Sequence, residues 1–299
     1  IKNKRIIALI PTMGHPRINK RLQKMRDQNC RIFGVYFERN YNKQNALFNF
    51  DKSYSLGHIK DKNYFSRTFK IIKAYFLLKK ESKSADILYS FSSDLLYISV
   101  ISRQRKNLIF HEIGDIRIPK GYLLKKIVTI LNSIIYKKHV NKFIVTSPNF
   151  SKYLQNNYGI HKSKILIIEN KLPRKYFNKK IRPCLPKTPI TLGVIGQLRY
   201  QTFVDLIKAA HNHQPKNFQI YIYGEGPKVK EVKHLFDGNF IRYFGSFSYP
   251  QDLNKIYSAV DYSYVVYPNT EINVRLALPN KLYESIYFRK PIIVSDLTA

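Results

Sequence analysis

The residues best suited to chemistry lie near the end of the chain, in the run 279–294. Pro279 precedes an amphipathic stretch, so we predict a helix that starts right after it and a buried strand at 291–294. Lys281 and Glu284 are three residues apart and therefore share one face of the first turn. A helix N-terminus offers free N–H groups and a positive dipole end, which suit a phosphate. A lysine there adds phosphate affinity, and a carboxylate one turn later can accept hydrogen bonds from ribose hydroxyls.

Three glycine turns precede this run in the second half of the chain. Gly196, Gly224 and Gly245 each follow a β-rich segment, as expected for a strand that ends in a tight turn. Glycine at such a turn lets the backbone approach a diphosphate closely. Arg199 follows the first turn and could pair with the diphosphate oxygens. Each of these features alone also fits an ordinary strand end or helix start, so their order and spacing carry the interpretation.

Short β-rich segments alternate with amphipathic helical segments along the chain, which is the pattern of parallel-sheet α/β domains. Prolines interrupt the pattern at 173–188, and the alternation then restarts. We therefore predict two doubly wound domains, 1–172 and 189–299, joined by that linker. Predicted strands are 5–10, 31–37, 87–89, 107–111, 142–145, 165–168, 190–195, 218–223, 240–244, 262–267 and 291–294; predicted helices are 16–28, 64–83, 94–102, 122–138, 147–156, 202–210, 228–235, 251–258 and 280–288.

The run 279–294 resembles the donor-binding motif of family-4, GT-B-type retaining glycosyltransferases, in which Glu284 corresponds to the ribose-binding glutamate. The glycine turns resemble the family's further donor contacts, in family order, and the resemblance covers residues 190–295. It implies the GT-B fold, with two Rossmann-like domains facing a cleft, the acceptor bound by the first and the nucleotide sugar by the second. Relatives usually continue with a further αβ unit and a terminal helix, so the C-terminal end is expected to be truncated.

The chain departs from the family pattern at three positions. Gln197 and Thr202 stand where the family carries arginine and lysine, so neutralisation of the diphosphate would fall on Arg199 and Lys281. Leu276 stands where the family often carries a second glutamate near the donor sugar. The candidates to replace that glutamate are Glu271, Asn273 and Arg275.

The first domain offers a polar cluster at a predicted strand end. The segment 110–117 places a histidine, two carboxylates and an arginine together, and it resembles the family segment whose histidine, here His111, lines the donor-sugar pocket. Asp115 belongs to the same cluster. Gly14 lies in the loop after the first predicted strand, where glycine permits close approach of an acceptor or diphosphate.

Composition limits the remaining possibilities. The chain has 299 residues, 44% of them hydrophobic, which supports sizeable cores rather than disorder. No apolar run reaches the roughly 18 residues that a membrane span needs. Cys30 and Cys184 have no metal-like spacing, which fits a reducing cytoplasm. The net charge of +33 draws the chain to polyanions such as an anionic bilayer, a nucleic acid or an anionic lipid-linked substrate.

Two predicted helices are both basic and amphipathic, as helices that lie in an anionic lipid interface are. The alternative is that each packs its apolar residues on a sheet. We favour this alternative for 122–138 and regard 64–83 as the better candidate for membrane docking.

The resemblance implies a metal-independent, retaining glycosyltransferase without a cofactor. It would transfer a hexose-type sugar from a nucleotide diphosphate to a lipid-linked or polysaccharide acceptor, at the inner face of the cell membrane, in capsule or O-antigen synthesis. The rivals are a catalytically inactive GT-B scaffold and a non-enzymatic protein that binds polyanions or nucleic acid. The expected catalytic residues are His111, Asp115, Arg199 and Lys281, and the expected donor-binding residues are Gly14, Gly196, Arg199, Gly224, Gly245, Phe247, Asn273, Asn280, Lys281 and Glu284.

Overall fold

The structure is a computed structural model of the 299-residue chain. It describes residues 1–38, 48–58, 64–116, 118–119, 121–172 and 188–296, with the backbone only for residues 16 and 64–68. The chain folds as two compact units, Ile1–Ile168 and Glu169–Ala299. The domain limits at 172 and 189 stay predictions, because residues 173–187 lie outside the described part of the chain.

The first unit is built on a seven-stranded parallel sheet with the order β3-β2-β1-β4-β5-β6-β7. Apolar residues of the central strands and of the first helix form its core, since helices must cover both faces of a parallel sheet. The strands are β1 (Arg5–Ile10), β2 (Arg31–Glu38), β3 (Lys52–His58), β4 (Ile87–Ser90), β5 (Leu108–Ile113), β6 (Lys142–Val145) and β7 (Ile165–Ile167). The helices are α1 (Pro16–Arg26), α2 (Tyr64–Glu81), α3 (Ser93–Ser102), α4 (Tyr122–His139) and α5 (Pro148–Tyr158).

The second unit is built on a five-stranded parallel sheet with the order β10-β9-β8-β11-β12. Its strand order reverses beside β8, and ligands of open α/β sheets bind outside the carboxyl ends of the strands at such a point. The strands are β8 (Ile190–Ile195), β9 (Phe218–Tyr223), β10 (Ile241–Tyr243), β11 (Tyr262–Val265) and β12 (Ile292–Val294). The helices are α6 (Gln201–His213), α7 (Val229–Val232), α8 (Leu253–Ser258), α9 (Ile272–Leu276) and α10 (Asn280–Phe288).

The predicted architecture of two Rossmann-like parallel sheets is confirmed, but two elements were missed. Strand β3 lies at the edge of the first sheet and is largely exposed or half-buried, so it lacks the apolar run that marked the other strands. Helix α9 is five residues long, which is too short to show a helical period in the sequence.

One prediction about the helices is wrong. We expected the apolar residues of α4 to pack on the sheet, but most of them are exposed to solvent. Only Asn132, Ile135 and Tyr136 of this helix are buried. Its exposed apolar residues are Tyr122, Leu123, Leu124, Ile127, Ile130, Leu131 and Ile134.

None of the helices in the described ranges combines the length and the hydropathy that a membrane crossing requires.

Candidate functional site

Three glycines predicted to bind the donor meet at the carboxyl edge of the second sheet. Gly196, Gly224 and Gly245 follow the adjacent strands β8, β9 and β10. The Gly196 N–H donates to the Tyr223 carbonyl oxygen at 2.7 Å, and the Gly224 N–H donates to the Gly245 carbonyl oxygen at 2.6 Å. The three turns therefore form one continuous backbone surface.

This surface requires glycine at its centre. Gly224 has a φ of +134°, which residues with a side chain rarely adopt. A Cβ atom at this position would overlap the Gly196 carbonyl oxygen and lie 2.7 Å from the Gly196 carbonyl carbon. Because these atoms belong to the backbone, they have little freedom to move away. Gly224 is buried by this close approach, whereas Gly196 and Gly245 are half-buried and keep part of their backbone accessible.

Lys281 brings a positive charge to the same surface. It lies in the first turn of α10, and a Cβ atom at Gly196 would come within 2.7 Å of its Cε atom. Among the described residues, no carboxylate lies within ion-pair distance of its ammonium group. The first turn of α10 contains no acidic residue, and no side chain caps its N-terminus. A lysine and free helix N–H groups beside a bare backbone surface form a site suited to a phosphate.

Glu284 lies one turn further along α10 and is held by a tyrosine. The Tyr257 hydroxyl of α8 donates to Oε2 of Glu284 at 2.9 Å, and the Tyr257 ring stacks on Phe288 at a centroid distance of 4.6 Å. Burial and the nearby carboxylate raise the pKa of Tyr257, so its hydroxyl stays a donor at neutral pH. Glu284 is 3% exposed, and Tyr257 is its one hydrogen-bond donor among the residues that the structure describes, which leaves most of its acceptor capacity unused.

The Arg199 side chain contacts the tyrosine that follows it in the chain. Its guanidinium lies 4.8 Å from the centroid of the Tyr200 ring, and its Nη2 donates to the Tyr200 hydroxyl at 2.5 Å. Both residues line a hollow of about 20 Å³, enough for a water molecule. Thr202, which replaces the family's lysine, donates to the Val266 carbonyl oxygen at 2.9 Å and so ties α6 to the end of β11.

The remaining predicted donor residues have different surroundings. Asn280 is exposed at the start of α10, and Asn273 is half-buried in α9. Phe247 packs against the buried cluster around Tyr257. Phe244 was not predicted; it is 49% exposed beside Gly245 and stacks on Tyr223 at 4.5 Å with an interplanar angle of 8°. The sequence feature that could have identified Phe244 is its position directly before the Gly245 turn.

The predicted residues of the first unit lie around a cavity of about 250 Å³. His111 and Asp115, at the carboxyl end of β5, both line it. Gly14 is buried in the turn between β1 and α1 with a φ of +72°, and the cavity is lined by its neighbours Thr12 and His15. The arginine of the predicted cluster 110–117, Arg117, lies outside the described residues.

His111 is a buried residue of the cavity wall. It is 1% exposed, and its Nδ1 lies 3.0 Å from the Ser90 hydroxyl oxygen. Burial lowers the pKa of His111 to about 4, and burial together with Arg17 lowers the pKa of His15 to about 4. Both imidazoles are therefore neutral at pH 7, as hydrogen-bonding groups in a sugar site would be.

A buried ionic network that the sequence did not reveal supports this cavity. Glu112 accepts from the Tyr89 hydroxyl at 2.6 Å and pairs with the Nε atoms of Arg17 at 3.2 Å and Arg21 at 3.4 Å. A Cβ atom at Gly114 would overlap the Arg17 guanidinium. Glycine at this position therefore leaves the space that the Arg17 side chain occupies beside Glu112. Because the arginines meet Glu112 only through the tertiary fold, their spacing along the chain carries no signal.

The described residues contain no group of three or more His, Cys, Asp and Glu side chains able to hold a metal ion.

Comparison with known proteins assigns the second unit. Residues 189–299 match the family model of glycosyl transferases group 1. These residues contain the three glycine turns and α10. Among curated protein sequences, none matches the chain.

Solved structures resemble the chain over almost its whole length. HepE from Anabaena, in complex with UDP and glucose, has a TM-score of 0.68 and 12% identity over 99% of this chain and 82% of that one. The apo form of WaaB, a lipopolysaccharide outer core galactosyltransferase, has a TM-score of 0.62 and 15% identity over 99% of this chain and 81% of that one. The UDP-GlcNAc 2-epimerase from Methanocaldococcus jannaschii has a TM-score of 0.55 and 12% identity over 97% of this chain and 83% of that one.

At such identities, the likeness establishes the fold. Together with two parallel Rossmann-like sheets, it shows the GT-B architecture. Residues 189–299 are thus a glycosyl transferases group 1 domain, carried by a chain with the GT-B fold.

Proposed function

We propose that the protein is a glycosyltransferase that takes its sugar from a nucleotide diphosphate bound to the second unit. The observation that carries the proposal is the meeting of Lys281 with the turns of Gly196, Gly224 and Gly245 at one sheet edge. A bare backbone surface, a lysine without an acidic partner among the described residues and a helix N-terminus together suit a diphosphate. The group 1 match covers the same residues.

In the proposed reaction, the bond between the anomeric carbon and the diphosphate oxygen breaks. The oxygen of an acceptor hydroxyl forms the new glycosidic bond, and the proton of that hydroxyl passes to the departing diphosphate. Negative charge grows on the departing diphosphate, and Lys281 and the N–H groups of α10 lie where they would stabilise it. This stabilisation needs neither a metal ion nor a cofactor. By resemblance to family-4 enzymes, we propose that the anomeric configuration is retained.

The ribose is assigned to Glu284. Its carboxylate can accept hydrogen bonds from the 2′- and 3′-hydroxyls, while Tyr257 fixes the orientation of the side chain. Because Glu284 is buried, the ribose must meet the small part of the side chain that remains exposed. The exposed ring of Phe244 beside Gly245 is a stacking surface suited to the base.

The acceptor is proposed to be a lipid-linked or polysaccharide saccharide of the cell surface, as in capsule or O-antigen synthesis. One structure of similar fold supports this class, since it is named for the lipopolysaccharide outer core. The polar cavity around His111 and Asp115 is a candidate for saccharide contacts. The charge of +33 suits work at the inner, anionic face of the cell membrane.

The test is a binding screen of the full chain with UDP, GDP, CDP, ADP and dTDP, followed by the Glu284→Gln variant. We expect one ribonucleotide to raise the melting temperature, since a ligand at 100 times its Kd adds about 2.7 kcal/mol to stability. For Glu284→Gln, we expect roughly 10- to 100-fold weaker binding of that ribonucleotide. Its 2′,3′-dideoxy analogue should bind wild type and variant equally. Glu231→Gln, at an exposed glutamate of α7, is the matched control.

The outcomes separate this proposal from its rivals. Equal loss of the ribonucleotide and of its dideoxy analogue would contradict the ribose assignment. Binding without transfer of sugar to any lipid-linked acceptor would identify an inactive scaffold. Inversion at C2 of the sugar of UDP-GlcNAc, seen by proton NMR without an acceptor, would identify an epimerase. Binding of nucleic acid without any nucleotide preference would favour the polyanion-binding rival.

A further inference from the structure

An apolar stripe runs along the outer face of α4. Its residues recur at the spacing i, i+4, i+7, i+8 and i+11, which places them on one side of a helix. They are 41 to 70% exposed, whereas the buried residues of α4 lie on the opposite side. Water-facing apolar residues in a row of this length mark an interaction surface. The α4 stripe consists of Leu123, Ile127, Ile130, Leu131 and Ile134.

The charges on α4 are all of one sign. The helix contains four lysines, all exposed, and no acidic residue. On a helical projection at 100° per residue, Lys126 and Lys137 lie along one border of the α4 stripe and Lys138 lies close to the other. Long lysine side chains can cover apolar surface while their ammonium groups reach outward. The partner of this face must therefore combine apolar material with negative charge.

The neighbouring helices α2 and α3 also expose apolar residues to solvent. Helix α3 contacts both α2 and α4, so the three helices form one layer on the sheet. Phe69, Ile72 and Phe76 of α2 and Ile101 of α3 are each more than half exposed. The connection between β1 and β2 runs across the sheet in the opposite direction to those between β4 and β7, which places α1 on the other face.

We propose that the α4 stripe lies in the interface of an anionic lipid bilayer, with its lysines at the level of the lipid phosphates. A basic helix with an apolar stripe has the chemistry of an interfacial helix. A symmetric pair of chains joined at this stripe would bring the lysines of two copies together, so charge disfavours self-association. The inference deepens the proposed function by naming the surface that meets the membrane. It places α4 in the role that we expected of 64–83.

The absence of tryptophan from the chain makes a sensitive test available. Ile127→Trp puts one reporter in the α4 stripe, and Lys24→Trp puts one on the exposed side of α1. With vesicles containing 30% phosphatidylglycerol, the emission of the Ile127→Trp variant should shift to the blue and become quenched by brominated lipid. The emission of the Lys24→Trp variant should not change. With pure phosphatidylcholine vesicles, the shift should be much smaller.

Two further variants then test the apolar and the charged part separately. Partitioning onto the anionic vesicles should fall at least tenfold in Leu123→Gln/Ile127→Gln/Ile130→Gln. It should fall about 100-fold in Lys126→Gln/Lys137→Gln/Lys138→Gln, because each lysine near an anionic surface contributes about fivefold. Lys230→Gln/Lys233→Gln/Lys255→Gln removes three exposed charges from the second unit and is the matched control.

Three results would overturn the inference. The first is no emission shift for the Ile127→Trp variant on anionic vesicles, and the second is an equal loss of vesicle partitioning in the lysine control variant. The third is a dimer, seen by light scattering, that becomes monomeric in the leucine and isoleucine to glutamine variant. Far-ultraviolet circular dichroism checks that the variants are folded, which is expected because every substituted side chain is exposed. No nucleotide is present in the assay. Failure here would therefore leave donor binding intact, and failure of donor binding would leave this result intact.

Discussion

Lys281→Ala is expected to weaken binding of the nucleoside diphosphate by roughly 10- to 150-fold, the usual range for a lost hydrogen bond to a charged group. Turnover with the nucleotide sugar should fall further, by about 100- to 1,000-fold, because the diphosphate carries more negative charge as it leaves. Isothermal titration calorimetry measures the first effect and a coupled assay for released nucleotide measures the second.

The control for this result is stability. Lys281 has no acidic partner among the described residues, so its removal should change the free energy of unfolding by no more than about 0.5 kcal/mol. Lys255→Ala, at an exposed lysine of α8, should leave both binding and turnover unchanged. A Lys281→Ala variant that binds and turns over normally would show that the diphosphate is held elsewhere.

Gly224→Ala is expected to destabilise the second unit by at least about 3 kcal/mol. Two costs combine: a φ of +134°, and the overlap of the new methyl group with the Gly196 carbonyl. Gly238→Ala separates them, since Gly238 has a φ of +76° and no atom within 4 Å of the new methyl group. It should cost about 1–2 kcal/mol, the penalty of a left-handed conformation alone.

Urea unfolding followed by far-ultraviolet circular dichroism measures both glycine variants. The difference between them reports the close approach of the Gly196 and Gly224 turns. In the structure, a Cβ atom at Gly224 would lie 2.7 Å from the Gly196 carbonyl carbon. Equal destabilisation by the two variants would mean that the turns of Gly196 and Gly224 do not approach each other this closely.

Those features of the site that depend on strand order could be predicted from the sequence. Gly196, Gly224 and Gly245 each follow a strand, and the carboxyl ends of parallel strands meet at one edge, so their convergence follows from the alternation pattern. Lys281 follows from the helix start at Pro279 in the same way. These residues are positioned by the backbone, which local patterns predict well.

Side-chain partnerships could not be predicted, because they depend on neighbours that are distant in the chain or on rotamers. Arg199 donates a hydrogen bond to the adjacent Tyr200, a choice of rotamer that no spacing encodes. The Tyr257 hydroxyl that holds Glu284 comes from another helix, 27 residues away. The buried state of Glu284 follows from that packing, and its position in the sequence did not predict it.

Helix α4 shows the same limit for surfaces. Its apolar period predicts that one face avoids water, but the period does not say what covers that face. The protein core takes only Asn132, Ile135 and Tyr136, which leaves the α4 stripe in solvent. Edge strand β3 was missed for the converse reason, since its mixed residues bury little on either side.

A crystal structure of the full chain with the nucleoside diphosphate selected by the binding screen would locate the donor site without further inference. We expect phosphate oxygens within about 3 Å of Lys281 Nζ and of backbone N–H groups at the start of α10. We also expect a ribose hydroxyl within hydrogen-bond distance of the Glu284 carboxylate. A nucleotide bound away from the Gly196 and Gly224 turns, with Lys281 and Glu284 untouched, would refute the proposed donor site.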